Sequence, residues 1–340
     1  MKLITYYNPP TDSEQLAILV GNKAYNTHEL HRDLPDNMMD FLWGEDETMV
    51  IAKSIDAKLK AGELPKAKGI DLQQLHLLSP VTHPPSLRDG YAFRQHVATA
   101  RQNRGLDMIP EFDDFPVFYF SNHNAIQGSG DVECMPDHFR QLDFELEIAI
   151  VIGAEGRNIK AADADDYIAG FMVMNDMSAR FLQMEEMKLN LGPAKGKDFC
   201  TAVGPYLVTP DELSAYLIPP PPGHIGKHYQ LEMTASINDK TWVKNNMSTM
   251  NWTFAEIIER VSYGVDIFPG DIIGSGTVGG GCFLEINGTE KRKNPNHKPI
   301  WLKEDDEIVM EITGLGKLYN RIVGSRENHS ILQYLHKKKP

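Results

Sequence analysis

Residues 142–153 read LDFELEIAIVIG. Side chains alternate faces along a strand with period two. Phe144, Leu146, Ile148 and Ile150 therefore point one way, while Asp143, Glu145 and Glu147, followed by Ala149 and Val151, point the other. One face suits a core and the other opens with a row of carboxylates. Same-face neighbours sit about 7 Å apart, and like charges that close repel, more strongly where water is scarce. Either this face is solvated and the acids keep it soluble, or a cation sits among them. The stretch by itself leaves both open.

The rest of the chain narrows the function classes. Its 340 residues suffice for a large core and for more than one domain. A net charge of −13 argues against nucleic acid or an anionic membrane as the main partner. It fits acidic side chains used as metal ligands. Cys134, Cys200 and Cys282 lie far apart without a CxxC pair, which disfavours a zinc–thiolate site and fits a reducing compartment. No run approaches 18 apolar residues, and the first residues show no signal peptide. A cytoplasmic location is the expectation.

Strand-like runs with glycine and proline turns dominate. At the start, LITYYN and AILVGNKAYN read as two strands; 34–62 reads as helical, with Asp46 as N-cap. Prolines near 80–86 mark a boundary. This predicts a small N-terminal α+β domain over 1–80, a mostly β domain of α+β class over 81–330, built as a roll or barrel, and a disordered tail over 331–340. CFLEING reads as a strand, and the glycine-rich GTVGGGC before it as a tight turn with no helix following.

Chemistry-bearing residues recur at the ends of these elements. Asp89 sits at an expected helix start with His96 seven residues on, about two turns away and on the same face. Asn175–Asp176 ends the apolar run FMVMND, with Arg180 and Gln183 beyond it. Lys197 lies in a glycine-containing loop, and Thr277 and Glu285 follow GDIIGSG. Taken singly, each has an ordinary reading as a cap, a packed histidine or a solvated lysine.

Taken in order, five motifs carry a resemblance. They are Asp89, Tyr91 and Arg94-Gln95-His96; Glu145-Leu146-Glu147; Asn175 through Gln183; Gly196, Lys197 and Phe199; and Gly270 to Thr277 with Glu285 beyond. The region 80–325 resembles the fumarylacetoacetate hydrolase superfamily. That resemblance implies a divalent cation held by Asp89, Glu145, Glu147 and Asp176, with Asp143 outside the ligand set and solvated. An all-oxygen set suits Mg²⁺ first, with Ca²⁺ and Mn²⁺ as alternatives. It also implies metal-assisted hydrolysis of a carbon–carbon bond in a small β-diketone or acylpyruvate. His96 would be the general base, Glu285 its orienting acid, and Lys197 and Gln183 the oxyanion donors. Tyr91, Tyr119, Arg180 and Thr277 would hold substrate oxygens. Members of the family are commonly homodimers. Gly90, Met177 and Phe181 depart from the family pattern beside the pocket. Decarboxylation, hydration or isomerisation of a 2-oxo acid on the same scaffold is the alternative chemistry, and a non-catalytic β protein stabilised by its ion is the alternative class.

Overall fold

A computed structural model of the chain describes residues 1–333; residues 334–340 of the expected tail lie outside it. The first region carries strands β1 (Lys2–Asn8), β2 (Ser13–Val20) and β3 (Lys23–Asn26) and helix α1 (Glu45–Lys60). AILVGNKAYN, expected as one strand, turns at Gly21 (φ +60°) and folds back as the β2–β3 hairpin. Asp46 is not an N-cap. Gly44 precedes the helix, and Asp46 sits in its first turn beside Glu45 and Glu47, where acids complement the helix dipole.

From residue 87 the order is β4 (Leu87–Gly90), α2 (Arg94–Gln102), β5 (Phe118–Phe120), β6 (Gly130–Cys134), β7 (Leu146–Ile152) and β8 (Ile168–Asp176). Then come α3 (Arg180–Met187), β9 (Thr201–Val208), β10 (Glu232–Ile237), β11 (Lys240–Asn246) and α4 (Phe254–Ser262). The described chain continues through β12 (Ile272–Gly274), α5 (Phe283–Lys293), β13 (Glu307–Ile312) and β14 (Gly316–Gly324). Strands outnumber helices, so the class is mixed and β-rich.

The long sheet runs β3–β2–β1–β9–β8–β7–β12–β4–β5, and a second sheet runs β11–β10–β13–β14–β6. Neither closes into a barrel, and the expected mostly β architecture of α+β class is built from open sheets. Closure is unnecessary because both faces of the long sheet are covered. Leu146, Ile148, Ile150, Phe171 and Val173 pack with Met233, Ala235, Ile308 and Met310 of the second sheet. On the other face, Ala149, Val151, Met172 and Met174 pack with Phe41, Leu42, Ala52 and Ile55. The N-terminal strands belong to this same sheet, since Leu3 of β1 pairs with Leu207 of β9. No helix among the described residues is long and apolar enough to cross a membrane.

This layering fixes the site. Each buried aliphatic side chain contributes about 1.5–3 kcal/mol, and a one-residue slip of β7 would exchange its two faces. Leu146 pairs with Asn175 and Ala149 with Gly274. Gly274 in turn pairs with Asp89. Core packing thereby sets Glu147, Asp176 and Asp89 side by side at neighbouring strand ends.

Candidate active site

The run LDFELEIAIVIG is not one strand. Leu142–Asp143 pairs with Ser178–Ala179, and β7 begins only at Leu146. All three of its acids are buried. Asp143, expected in solvent, is fully enclosed. It accepts hydrogen bonds from the N–H groups of Phe144, Phe283 and Leu284 at 2.8–2.9 Å and from Arg180 Nε at 2.8 Å. Two of those N–H groups open α5, where a carboxylate is favoured. This contact explains why the apparent strand CFLEING is a helix. Asp143 satisfies the first-turn donors, while Lys291, Arg292 and Lys293 close the last turn. GTVGGGC is therefore followed by a helix after all.

Glu145 also faces cations. Arg180 Nη2 donates to it at 2.6 Å, and Lys197 Nζ donates to its second oxygen. Burial alone would raise its pKa, but Arg180 and Lys197 hold it well below the usual range. Arg180 gives its third edge to Gln183 Oε1 at 3.0 Å and is 2% exposed. Arg180, expected to hold substrate oxygens, has a guanidinium that ties Asp143, Glu145 and Gln183 together. Gln183, expected as an oxyanion donor, is half-buried and bound to it.

Asp89, Glu147 and Asp176 are different. Each brings an oxygen within 4.8 Å of the other two. Asp89 lies near the end of β4 rather than at a helix start, and His96 lies on α2, so the two do not share a helical face. Gly276 (φ +80°) donates its N–H to Asp89 Oδ1 at 3.0 Å and to Glu147 Oε2 at 3.1 Å. A Cβ there would lie 2.6 Å from the Gly90 carbonyl, so only glycine fits. Thr277 donates to Glu147 Oε1 at 3.3 Å and so serves a proposed ligand. Tyr119 and Lys197 both donate to Asp176 Oδ2, each at 2.6 Å. Asp176 Oδ1, also buried, has no hydrogen-bond partner.

The charges do not balance. Five buried carboxylates (Asp89, Asp143, Glu145, Glu147, Asp176) meet two buried cations, Arg180 and Lys197. Burial and then the neighbouring Asp176 charge push Asp89 up to about 7. Burial and then Asp89 push Glu147 well above the carboxylate range, and burial raises Asp176 against the pull of Lys197. Burial and mutual repulsion thus disfavour the ionised forms of these groups. A buried orphan oxygen inside an all-oxygen donor set is what a hard divalent ion would satisfy. Three of the four expected ligands share this locus; Glu145, the fourth, adjoins it through Lys197 but has both oxygens engaged.

His96 on α2 and Glu285 on α5 form a buried dyad, with His96 Nδ1–H donating to Glu285 Oε2 at 2.7 Å. The two helices are stitched by Asn103 Nδ2, which donates to the Glu285 carbonyl at 3.0 Å. Tyr91 packs edge-on against the imidazole at 5.8 Å, and Met177 is fully buried. Phe181 lies under the Arg140 guanidinium at 4.8 Å. Cys282 lies beside the dyad and had no place in the sequence reading, although its position three residues before Glu285 was a signal.

A cavity of about 230 Å³ is lined by Tyr119, Phe120, Pro193, Ala194 and Lys197 among others, two of which donate to Asp176. A wider one of about 400 Å³ lies away from the acids, beside Lys53, Asp165 and Tyr229. The loop before Lys197 is pinned by Glu186, which accepts from the N–H groups of Ala194, Lys195 and Gly196 at 2.7–3.1 Å. Sequence reasoning missed Glu186 because nothing local marks a helix glutamate as a loop anchor.

Known proteins resemble this chain to differing extents. The mitochondrial oxaloacetate tautomerase Fahd2a of Rattus norvegicus is 28% identical over 327 residues, covering 95% of this chain and 92% of that protein. Fumarylacetoacetase of Oryza sativa subsp. japonica is 31% identical over 209 residues, 53% of this chain and 48% of its own length. The maleylpyruvate hydrolase of Sphingobium sp. SYK-6, solved with manganese(II) and pyruvate, superposes with a TM-score of 0.66 at 22% identity, covering 96% of this chain and all of that one. The model of the fumarylacetoacetate (FAA) hydrolase C-terminal domain matches residues 86–323. That span is well over half of the chain, and the protein belongs to the fumarylacetoacetate hydrolase family.

Proposed function

We propose that the chain hydrolyses a carbon–carbon bond in a small acylpyruvate or related β-dicarbonyl acid, with a divalent cation, Mg²⁺ by preference, as cofactor. The observation that carries this reading is the buried dyad, with His96 Nδ1 held 2.7 Å from Glu285 Oε2. A carboxylate on Nδ1–H fixes the tautomer, so Nε2 is left as the base, and it stabilises the imidazolium formed when that base takes a proton. Asp89, Glu147 and Asp176, with Glu145 as fourth oxygen donor, would hold the cation. When bound, such an ion draws electron density from the chelating oxygens of a dicarbonyl as a Lewis acid.

The remaining steps belong to side chains. His96 removes a proton from water, and the hydroxide adds to the acyl carbon. Lys197 donates to Glu145 and Asp176, and the third hydrogen of its ammonium suits the developing alkoxide. The carbon–carbon bond breaks, its electron pair goes to the enolate carbon, and the proton held by His96 returns to that carbon. An acylpyruvate plus water thus yields a carboxylic acid and pyruvate.

Tautomerisation of a 2-oxo acid such as oxaloacetate is the second reading, favoured by the relative that matches 95% of this chain. It moves a proton and consumes no water. The test is incubation of an acylpyruvate with Mg²⁺ in H₂¹⁸O, followed by enol absorbance and mass spectrometry. Hydrolysis predicts one ¹⁸O in the released acid and, for His96→Ala, a loss of 10²-fold or more. Equilibration of keto and enol forms without acid release sinks the hydrolase reading in favour of the tautomerase.

A further inference from the structure

We infer that His96, Cys282 and Glu285 form a second, softer metal site, which takes zinc or a similar thiophilic divalent ion and thereby disables the dyad. A ring nitrogen of His96, the Sγ of Cys282 and a carboxylate oxygen of Glu285 all lie within 4.8 Å of one another, and all three residues are buried. The donor types differ from those at the strand ends. Three carboxylates suit a hard ion, whereas a nitrogen, a sulfur and an oxygen are each donor types that zinc takes. Ligands on one tetrahedral zinc stand roughly 3.3–3.8 Å apart, given bonds of about 2.0–2.3 Å. Small rotamer changes therefore bring the three atoms onto one ion.

The fold supplies the preorganisation. Cys282 precedes the first turn of α5 and Glu285 lies within it, so their spacing is set by the helix start. Asn103 holds α2 against α5 from the other side. His96 and Glu285 retain 7% and 4% of their surface, and Cys282 none. Binding releases the thiol proton to solvent and separates the imidazole from its carboxylate. The same dyad then has no free base. That inhibitory consequence rests on the function proposed above; the binding itself does not.

The probe is Co²⁺ added to the full-length protein in saturating Mg²⁺, read as the near-ultraviolet thiolate-to-cobalt charge-transfer band. The band is expected in the wild type and in Cys134→Ala and Cys200→Ala, and is expected to vanish in Cys282→Ala. Zinc should suppress it, and Cys282→Ala should need at least about tenfold more Zn²⁺ for half-inhibition, since even outer-shell changes cost that much affinity. A wild type without the band, or a band that survives in Cys282→Ala, overturns the inference. Should Cys282→Ala not fold, His96→Asn serves instead: a cobalt midpoint raised about tenfold supports the site, and an unchanged midpoint overturns it. A band in a protein that hydrolyses no dicarbonyl supports the site and removes only the hydrolase reading.

Discussion

Two groups of buried carboxylates lie side by side in this molecule and are treated in opposite ways. Asp143 and Glu145 are completed by the protein. Arg180, Lys197 and the N–H groups that open α5 satisfy them. Asp89, Glu147 and Asp176 are left unfinished, with raised pKa values and an orphan oxygen at Asp176 Oδ1. The first group is architecture, because it joins β7, α3 and α5. The second is the proposed receptor for a cation. Lys197 is the seam, since its ammonium donates to Glu145 on one side and to Asp176 on the other. The difference teaches that an acid-rich strand end does not by itself define a metal site. What marks the candidate is where clustered carboxylates outnumber the cations beside them and one oxygen, Asp176 Oδ1, has no donor.

The largest expected effect breaks the completed group. Arg180→Met leaves Asp143 and Glu145 without their guanidinium, and removal of one partner from a buried pair costs about 3–5 kcal/mol. Urea denaturation should show that loss. If stability is unchanged, Asp143 and Glu145 are not held as described. Next, saturating the unfinished group should stabilise. Mg²⁺ at a hundredfold over its dissociation constant adds about 2.7 kcal/mol to the wild type by mass action. Asp176→Asn should abolish most of that response. A thermal melt in which both proteins respond equally would place the ion elsewhere.

The same contrast has a pH signature. Asp89 has a folded pKa of about 7, against about 3.9 for an unfolded aspartate. The folded protein therefore binds more protons between those values, and stability without metal falls as pH rises through that window. Cation binding expels the proton, so Mg²⁺ affinity should climb as pH rises toward and past 7. Isothermal titration at several pH values checks the sign. A flat affinity would mean that the carboxylates do not hold the ion.

The smallest effect concerns the seam. Gln at position 186 offers one acceptor oxygen where Glu186 uses two. Glu186→Gln should loosen the loop by about 1 kcal/mol. Amide exchange at Ala194–Gly196 should quicken while the global melting temperature barely moves. Unchanged exchange would detach Glu186 from the placement of Lys197.

Much of this was written in local sequence. Period two in LEIAIVI assigned the two faces of β7 correctly, and both proved buried because two different layers cover the sheet. The acids at the ends of FMVMND and of the run before it were visible as strand-end carboxylates. Their joint meaning came from the order of motifs in a family resemblance. CFLEING misled, because its short apolar pattern fits a strand as well as a first helical turn. What made it a helix is Asp143, a residue 140 positions earlier in the chain.

By itself, then, the amino-acid order determined which residues could do acid–base and ionic chemistry, and that Glu147 and Asp176 would stand on strands. Those properties follow from side-chain identity and backbone periodicity, which are local. Tertiary structure alone decided which carboxylates were neutralised and which were left open. It also decided that Arg180 is a brace and that Cys282 stands beside His96. Charge pairing acts through space over a few ångströms. In this fold those few ångströms join residues separated by 37 positions for Asp143 and Arg180 and by 189 for His96 and Glu285.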